Sequence, residues 1–202
     1  SRLLGIDPGN RNIGFINGSE YFESVKNETT LEFNSTLGNW GSNNLLVGYK
    51  TVRDDRDPSG DPFPSVDIRD GGGTITFGAE PFSTSNLLDQ DVLNIADNFE
   101  IYSGRHTITI GTQHEFSKIK NLFFSFNYGD YTFNSVDDFY NGIIDEYQRG
   151  YSLVGGNAVG DESDGASEFK LYQPSFYVQD DISISDNFKF TMGLRVDVPI
   201  FE

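Results

Sequence analysis

The sequence predicts an all-β fold, an antiparallel up-and-down meander, and three observations carry that expectation. Apolar and polar side chains alternate with a period of two along several stretches, as they do in strands with two unlike faces. Short polar turns join neighbouring stretches as hairpins. Two long connections of different composition lie between the hairpins.

In chain order, the first hairpin surrounds Trp40 to Asn44. Leu31, Phe33 and Leu37 alternate with Thr30, Glu32, Asn34 and Thr36 before it, while Leu45, Val47 and Tyr49 share a face after it and Leu46 spoils the polar side. Residues 54–85 form the first long connection, rich in Asp, Pro and Gly. Its Gly71-Gly72-Gly73 run is followed by Thr74, with no lysine to complete a phosphate-cradling loop, and reads as flexible loop.

The second hairpin turns at Ser103-Gly104-Arg105. Leu93, Ile95, Phe99 and Ile101 precede it on one face, and Ile108, Ile110 and Phe116 follow it. Residues 118–171 form the second long connection, which holds Gly155-Gly156, the acidic run Asp161-Glu162-Ser163-Asp164, a strand extension from Leu122 to Tyr128 and a helical turn from Val136 to Gly142. The last hairpin is the clearest. Phe188, Phe190, Met192, Leu194, Val196 and Val198 alternate with Lys189, Thr191, Gly193, Arg195 and Asp197 without exception. Across Ser185-Asp186-Asn187, Phe176, Val178, Ile182 and Ile184 form the matching apolar face, interrupted by Asp180, with Ser175, Tyr177, Gln179, Asp181 and Ser183 opposite.

Composition narrows the class. The 202 residues include 31 acidic and 14 basic side chains for a formal charge of -17, which repels nucleic-acid phosphates and speaks against polybasic membrane attachment. Without cysteine there is neither a disulfide framework nor a thiolate metal site. Apolar runs such as Leu122-Phe123-Phe124 are far below the roughly 18 residues of a membrane-spanning helix. A barrel needs no such run, because its strands alternate lipid-facing and lumen-facing residues. Strands of about ten residues rising ~3.3 Å each and tilted by ~45° cover roughly 25 Å, the height of an outer-membrane apolar band. Phe116, Phe176, Tyr177 and Phe188 sit near strand ends, where interfacial aromatics belong. Short turns on one side and long loops on the other fit the periplasmic and exterior ends of a transmembrane β-barrel. The start at Ser1-Arg2-Leu3-Leu4 and the stop at Ile200-Phe201-Glu202 lead us to expect a piece of a longer precursor.

The residues Tyr177-Val178-Gln179-Asp180-Asp181, a polar turn at Asp186-Asn187, and Gly193-Leu194-Arg195-Val196-Asp197 resemble a hairpin of TonB-dependent outer-membrane receptors. The family usually writes Gly-Leu-Arg-Tyr-Asp where Val196 stands in place of the aromatic here. Gly104-Arg105-His106-Thr107 and Tyr128-Gly129-Asp130-Tyr131-Thr132-Phe133-Asn134-Ser135, followed by Asp137-Asp138-Phe139, resemble a turn and an exterior-loop element of the large Oar-like members common in Bacteroidetes. The resemblance covers residues 86–198; residues 1–85 fit by pattern alone. It implies that residues 1–202 are part of a large plugged barrel of 22 strands, in the outer membrane of a Gram-negative bacterium, without the plug and the TonB box. It further implies that Tyr177, Gln179, Asp180, Asp181, Gly193, Leu194, Arg195 and Asp197 are structural motif residues. The implied partners are the rest of the barrel and plug, TonB through the missing N-terminal part, and a nutrient ligand or surface lipoprotein. An isolated fragment would pair its sheet edges with another copy or curl on itself.

No catalytic arrangement is legible, and no enzymatic activity or cofactor is expected. His106 and His114 share a strand face eight residues apart, over ~20 Å at strand rise, too far to share a metal. Asp55, Asp57 and Asp61 resemble the start of a calcium loop, but Val66 stands where the bidentate Glu is needed. Irregular calcium binding there is the weaker alternative to a solvated loop. Asp180 and Asp181 point to opposite faces, so they cannot act as a carboxylate pair; Asp180 requires either a place near the barrel rim or a bulge. Lys189, Arg195 and Asp197 either line a translocation path or pair with neighbouring strands. The function expected is energised uptake of an oligosaccharide, peptide or metal chelate. The rival is a soluble all-β adhesion or glycan-binding domain using Tyr128, Tyr131 and Tyr140, and a glycoside hydrolase is weaker still, for want of a fixed carboxylate pair.

Overall fold

The computed structural model describes residues 2–4 as backbone, and residues 11–151 and 165–202 in full. Gly155-Gly156 and the acidic run at 161–164 lie outside the described residues. The chain divides into two compact units. The first comprises Ser1–Val25, Arg53–Asp89 and Lys120–Glu168, and the second Lys26–Val52, Gln90–Ile119 and Phe169–Glu202.

The main sheet is built from long antiparallel strands: β3 (Glu20–Leu37), β4 (Gly41–Pro58), β7 (Asn86–Ser103), β8 (His106–Phe123), β11 (Ser167–Ser185) and β12 (Phe188–Asp197), in that spatial order. Short β1 (Arg2–Leu4) pairs with β3, and β13 (Ile200–Phe201) with β11. The predicted meander is what forms. Among the described residues the sheet does not close, since β3 and β12 do not pair with each other.

β12 has the ten residues expected, while β3, β4, β7, β8 and β11 are longer. At 18 residues β7 spans ~60 Å, or ~42 Å of height when tilted by ~45°, so these five strands continue well beyond an apolar band of ~25 Å. The turns at Gly104-Arg105 and Asp186-Asn187 fall where the sequence placed them. The first turn instead sits at Gly38-Asn39-Trp40, ahead of the Trp40 to Asn44 position expected. Gly38 adopts φ +61°, a conformation glycine takes without steric cost, so the chain reverses there and the polar residues after it join the strand. Ser42 donates to Glu100 at 3.1 Å, Asn43 to Asp97 at 2.5 Å and Asn44 to Glu32 at 2.6 Å.

The two long connections carry structure of their own within the first unit. β2 (Asn12–Gly14), β5 (Ser65–Asp70), β6 (Gly73–Phe77), β9 (Asp130–Phe133) and β10 (Glu146–Gln148) form a second sheet in the order β10-β9-β5-β6-β2. Its core is Val66, Ile68 and Phe133, with Ile75, Phe77 and Tyr131 packed against it. Helix α1 (Val136–Asn141) sets Phe139 edge-on against Phe133 and Phe77, with centroids 5.2 and 5.7 Å away. Ser135 caps the helix by accepting from the Asp138 amide, and Gly142 ends it in the left-handed region, as the predicted helical turn requires.

Gly71-Gly72, expected as flexible loop, is a two-residue hairpin turn between β5 and β6. Both glycines have positive φ, +52° and +84°, which is what this type of tight turn demands at its two central positions. In the same sheet, burial chiefly pushes the Asp130 carboxyl above its ordinary pKa; a hydrogen bond from Ser65 opposes the rise, and Asp67 and Glu146 add to it.

Candidate functional site

Alternation gives the second unit two chemically different faces. Phe188, Phe190, Met192, Leu194, Val196 and Val198 are between 44% and 78% exposed, so among the described residues the apolar face of β12 and its extension is left bare. The polar face is knitted together instead, and the motif residues supply most of the knots.

Register brings Tyr177 opposite Arg195, Gln179 opposite Gly193 and Asp181 opposite Thr191. Arg195 Nε reaches both carboxylate oxygens of Asp197 at 2.9 and 3.1 Å, and its Nη2 donates to Gln113 at 3.1 Å. The guanidinium also lies 5.3 Å from the Tyr177 ring centroid, within cation-π range. Ser175 donates to Asp197 at 2.5 Å, and the Tyr177 hydroxyl donates to Asn98. Asp181 accepts from Gln179 at 3.0 Å and from Thr191 at 2.5 Å. Gln113 closes the network by donating to Asn94 at 3.3 Å.

Gly111 sits against this network for a physical reason. A Cβ built there would fall 2.1 Å from the Tyr177 ring, so the ring lies in a notch that only glycine leaves open. Tyr177 therefore belongs to the polar face and not to an interfacial aromatic belt. The signal was present in the sequence as a lone glycine inside a strand pattern, which marks a close approach.

Phe116 and Phe176 do take the apolar face. Phe116 stacks on Tyr172 with centroids 4.6 Å apart, and His114 stands 6.0 Å from both Tyr172 and Phe176. Phe188 lies exposed at the turn end of its strand, and Trp40 contacts Phe99 beside another turn.

Asp180 stays on the apolar face in regular register with Met192; the irregularity in this hairpin lies at Ser183/Ser185. Its partner is His106, whose Nδ1 lies 2.7 Å from Asp180 Oδ2, immediately after the turn at Gly104-Arg105. The other carboxylate oxygen, Oδ1, is buried and accepts no hydrogen bond among the described residues. His106→Ala should therefore cost about 1–3 kcal/mol, because it strips the remaining partner from a polar group on an apolar face. Urea unfolding of the protein in detergent checks this; a loss under about 0.5 kcal/mol, the range of an ordinary surface change, would show the pair to be idle. His114 is engaged elsewhere, with Thr112 at 3.0 Å and Tyr172 at 2.8 Å.

Asp55 and Asp57 lie two apart in β4 and Asp61 in the turn after it, with Asp55 accepting from the Arg56 amide at 2.9 Å. Among the described residues no group of three or more acidic or histidine side chains converges as metal ligands would. Tyr131 packs at a tilt against Tyr147 with ring centroids 4.6 Å apart, and Tyr140 projects into solvent.

A family model described as an outer membrane beta barrel domain matches residues 18–200. The chain belongs to that family. The outer-membrane β-barrel domain places the protein in the outer membrane of a Gram-negative bacterium, with the bare apolar face toward lipid and the knitted polar face toward the barrel interior. No curated protein and no solved structure matches the chain. The family favours the barrel over the soluble adhesion domain, and the match from residue 18 brings the first hairpin, which fitted by pattern alone, into the same domain.

Proposed function

We propose that this β-barrel domain is part of a TonB-dependent receptor of the Oar-like kind, taking up an oligosaccharide, peptide or metal chelate across the outer membrane. The observation that carries the proposal is the interior-facing ladder of Tyr177, Gln179, Asp181, Gly193, Arg195 and Asp197, which are residues of the receptor-like hairpin motif. The open sheet supports a barrel larger than these strands. Six long strands, with only short β1 on the outer side of β3 and no strand on the outer side of β12 among the described residues, fall short of the eight of the smallest bacterial barrels, so further strands would complete the wall. In this reading no bond is made or broken. Arg195 and Asp197 satisfy each other and stiffen the wall, while a plug, TonB and a nutrient or surface lipoprotein engage other parts of the receptor. A fragment limited to these residues would cover its bare edges with another copy.

The test is energy dependence in the full-length protein. Cells producing it should accumulate a labelled nutrient pool in a manner lost when TonB is deleted, and the purified protein should give no steady open-channel conductance in a planar bilayer. A constant conductance with uptake indifferent to TonB would replace this reading with a passive porin.

A further inference from the structure

Two exposed lysines on the lipid-facing side form no ion pair among the described residues. The register between β8 and β11 is marked at three places: the Ser183 amide donates to the Arg105 carbonyl at 2.8 Å, Phe116 stacks on Tyr172, and Lys120 pairs with Glu168 at 3.6 Å. Between the last two, this register sets Lys118 directly across from Lys170. Both are exposed, and among the described residues neither forms an ion pair. Like charges directly opposite one another destabilise a sheet, and this chain has only 14 basic side chains against 31 acidic ones. Their height is informative. Lys118 lies about 13 residues beyond the turn at Arg105, which at ~3.3 Å per residue and ~45° tilt is roughly 30 Å, just past an apolar band of ~25 Å on the long-loop side.

The lysines border a cleft of about 380 Å³ whose apolar wall is Tyr49, Leu93, Phe116 and Tyr172. Asp91 and Glu202 also line it, and Asp91 accepts from the Tyr49 hydroxyl at 3.4 Å. Cations at headgroup level above an aromatic and apolar wall match an amphiphile with an anionic head and acyl tails. We propose that Lys118 and Lys170 together clamp a phosphate group of an outer-leaflet glycolipid, whose acyl chains run down the apolar strand face. The two carboxylates then accept from hydroxyl or amine groups of the same head. The inference needs only the outer-membrane location and stands whether or not the barrel transports a nutrient.

The full-length protein in mild detergent, titrated with a bisphosphorylated acylated disaccharide and followed by native mass spectrometry, tests this. The glycolipid should bind, and Lys118→Gln/Lys170→Gln should weaken it by about 10- to 30-fold, given the ~1 kcal/mol each lysine contributes near a membrane surface. Lys118→Arg/Lys170→Arg should retain binding, Lys50→Gln should leave it unchanged, and removing the phosphates from the lipid should mimic the glutamine pair. Equal binding by wild type and the glutamine pair would overturn the proposal. So would displacement by an equal concentration of inorganic phosphate, which would mean a free-anion site, or equal affinity for the dephosphorylated lipid.

Discussion

Gly111→Val should loosen the barrel wall at the motif hairpin. Its first side-chain carbon would stand 2.1 Å from the Tyr177 ring, so the ring must leave its notch. With it go the hydrogen bond to Asn98 and the Arg195 guanidinium lying over the ring. Overpacking costs roughly 1–3 kcal/mol, and the lost hydrogen bond adds about 1. The measurement is urea unfolding of the protein in detergent, with Tyr177→Ala as the companion. If the clash is the cause, Gly111→Val should cost much less in the Tyr177→Ala background than in the native one. Equal costs in both backgrounds would place the damage elsewhere.

Gly78→Ala should have a larger effect, confined to the first unit. Gly78 adopts φ +94°, and a Cβ there would lie 1.9 Å from the Pro64 carbonyl oxygen, a backbone atom with no rotamer to yield. The next residue, Ala79, is buried, and its amide donates to the Phe63 carbonyl at 3.2 Å. Moving either strand end away disturbs the β5/β6 pairing beginning at Val66 and Phe77 and hence the core of the small sheet. A loss of about 3 kcal/mol or more follows from positive-φ strain added to a backbone collision. Hydrogen exchange reads it directly: amides of β5, β6 and β9 should lose protection while those paired between β11 and β12 keep theirs. Unchanged protection in β5 and β6 would refute the account.

The fate of the glycines shows how much was legible beforehand. Gly104 and Asp186-Asn187 lie between long alternating runs, so their turns are legible to within one residue, Ser103 and Ser185 belonging to the strands before them. The polar stretch Trp40 to Asn44 has the composition of a turn, but polarity is a poor guide when Ser42, Asn43 and Asn44 bond across to Glu100, Asp97 and Glu32. Gly71-Gly72 looked flexible because β5 and β6 are short, and their pairing becomes evident only when Val66 and Ile68 meet Phe133 from a distant part of the chain.

Alternation with a period of two assigned the long hairpin strands and sorted their side chains to the lipid or the interior, since that choice depends on local order alone, but it left the short strands of the second sheet unassigned. It could not say which residue meets which across strands. Asp180 interrupts an apolar face, and its partner His106 lies 74 positions away in the chain; Lys118 and Lys170 face each other only because β8 lies against β11. Such pairings rest on register between distant segments, where a slip of one residue exchanges the faces and a slip of two preserves them but changes every partner.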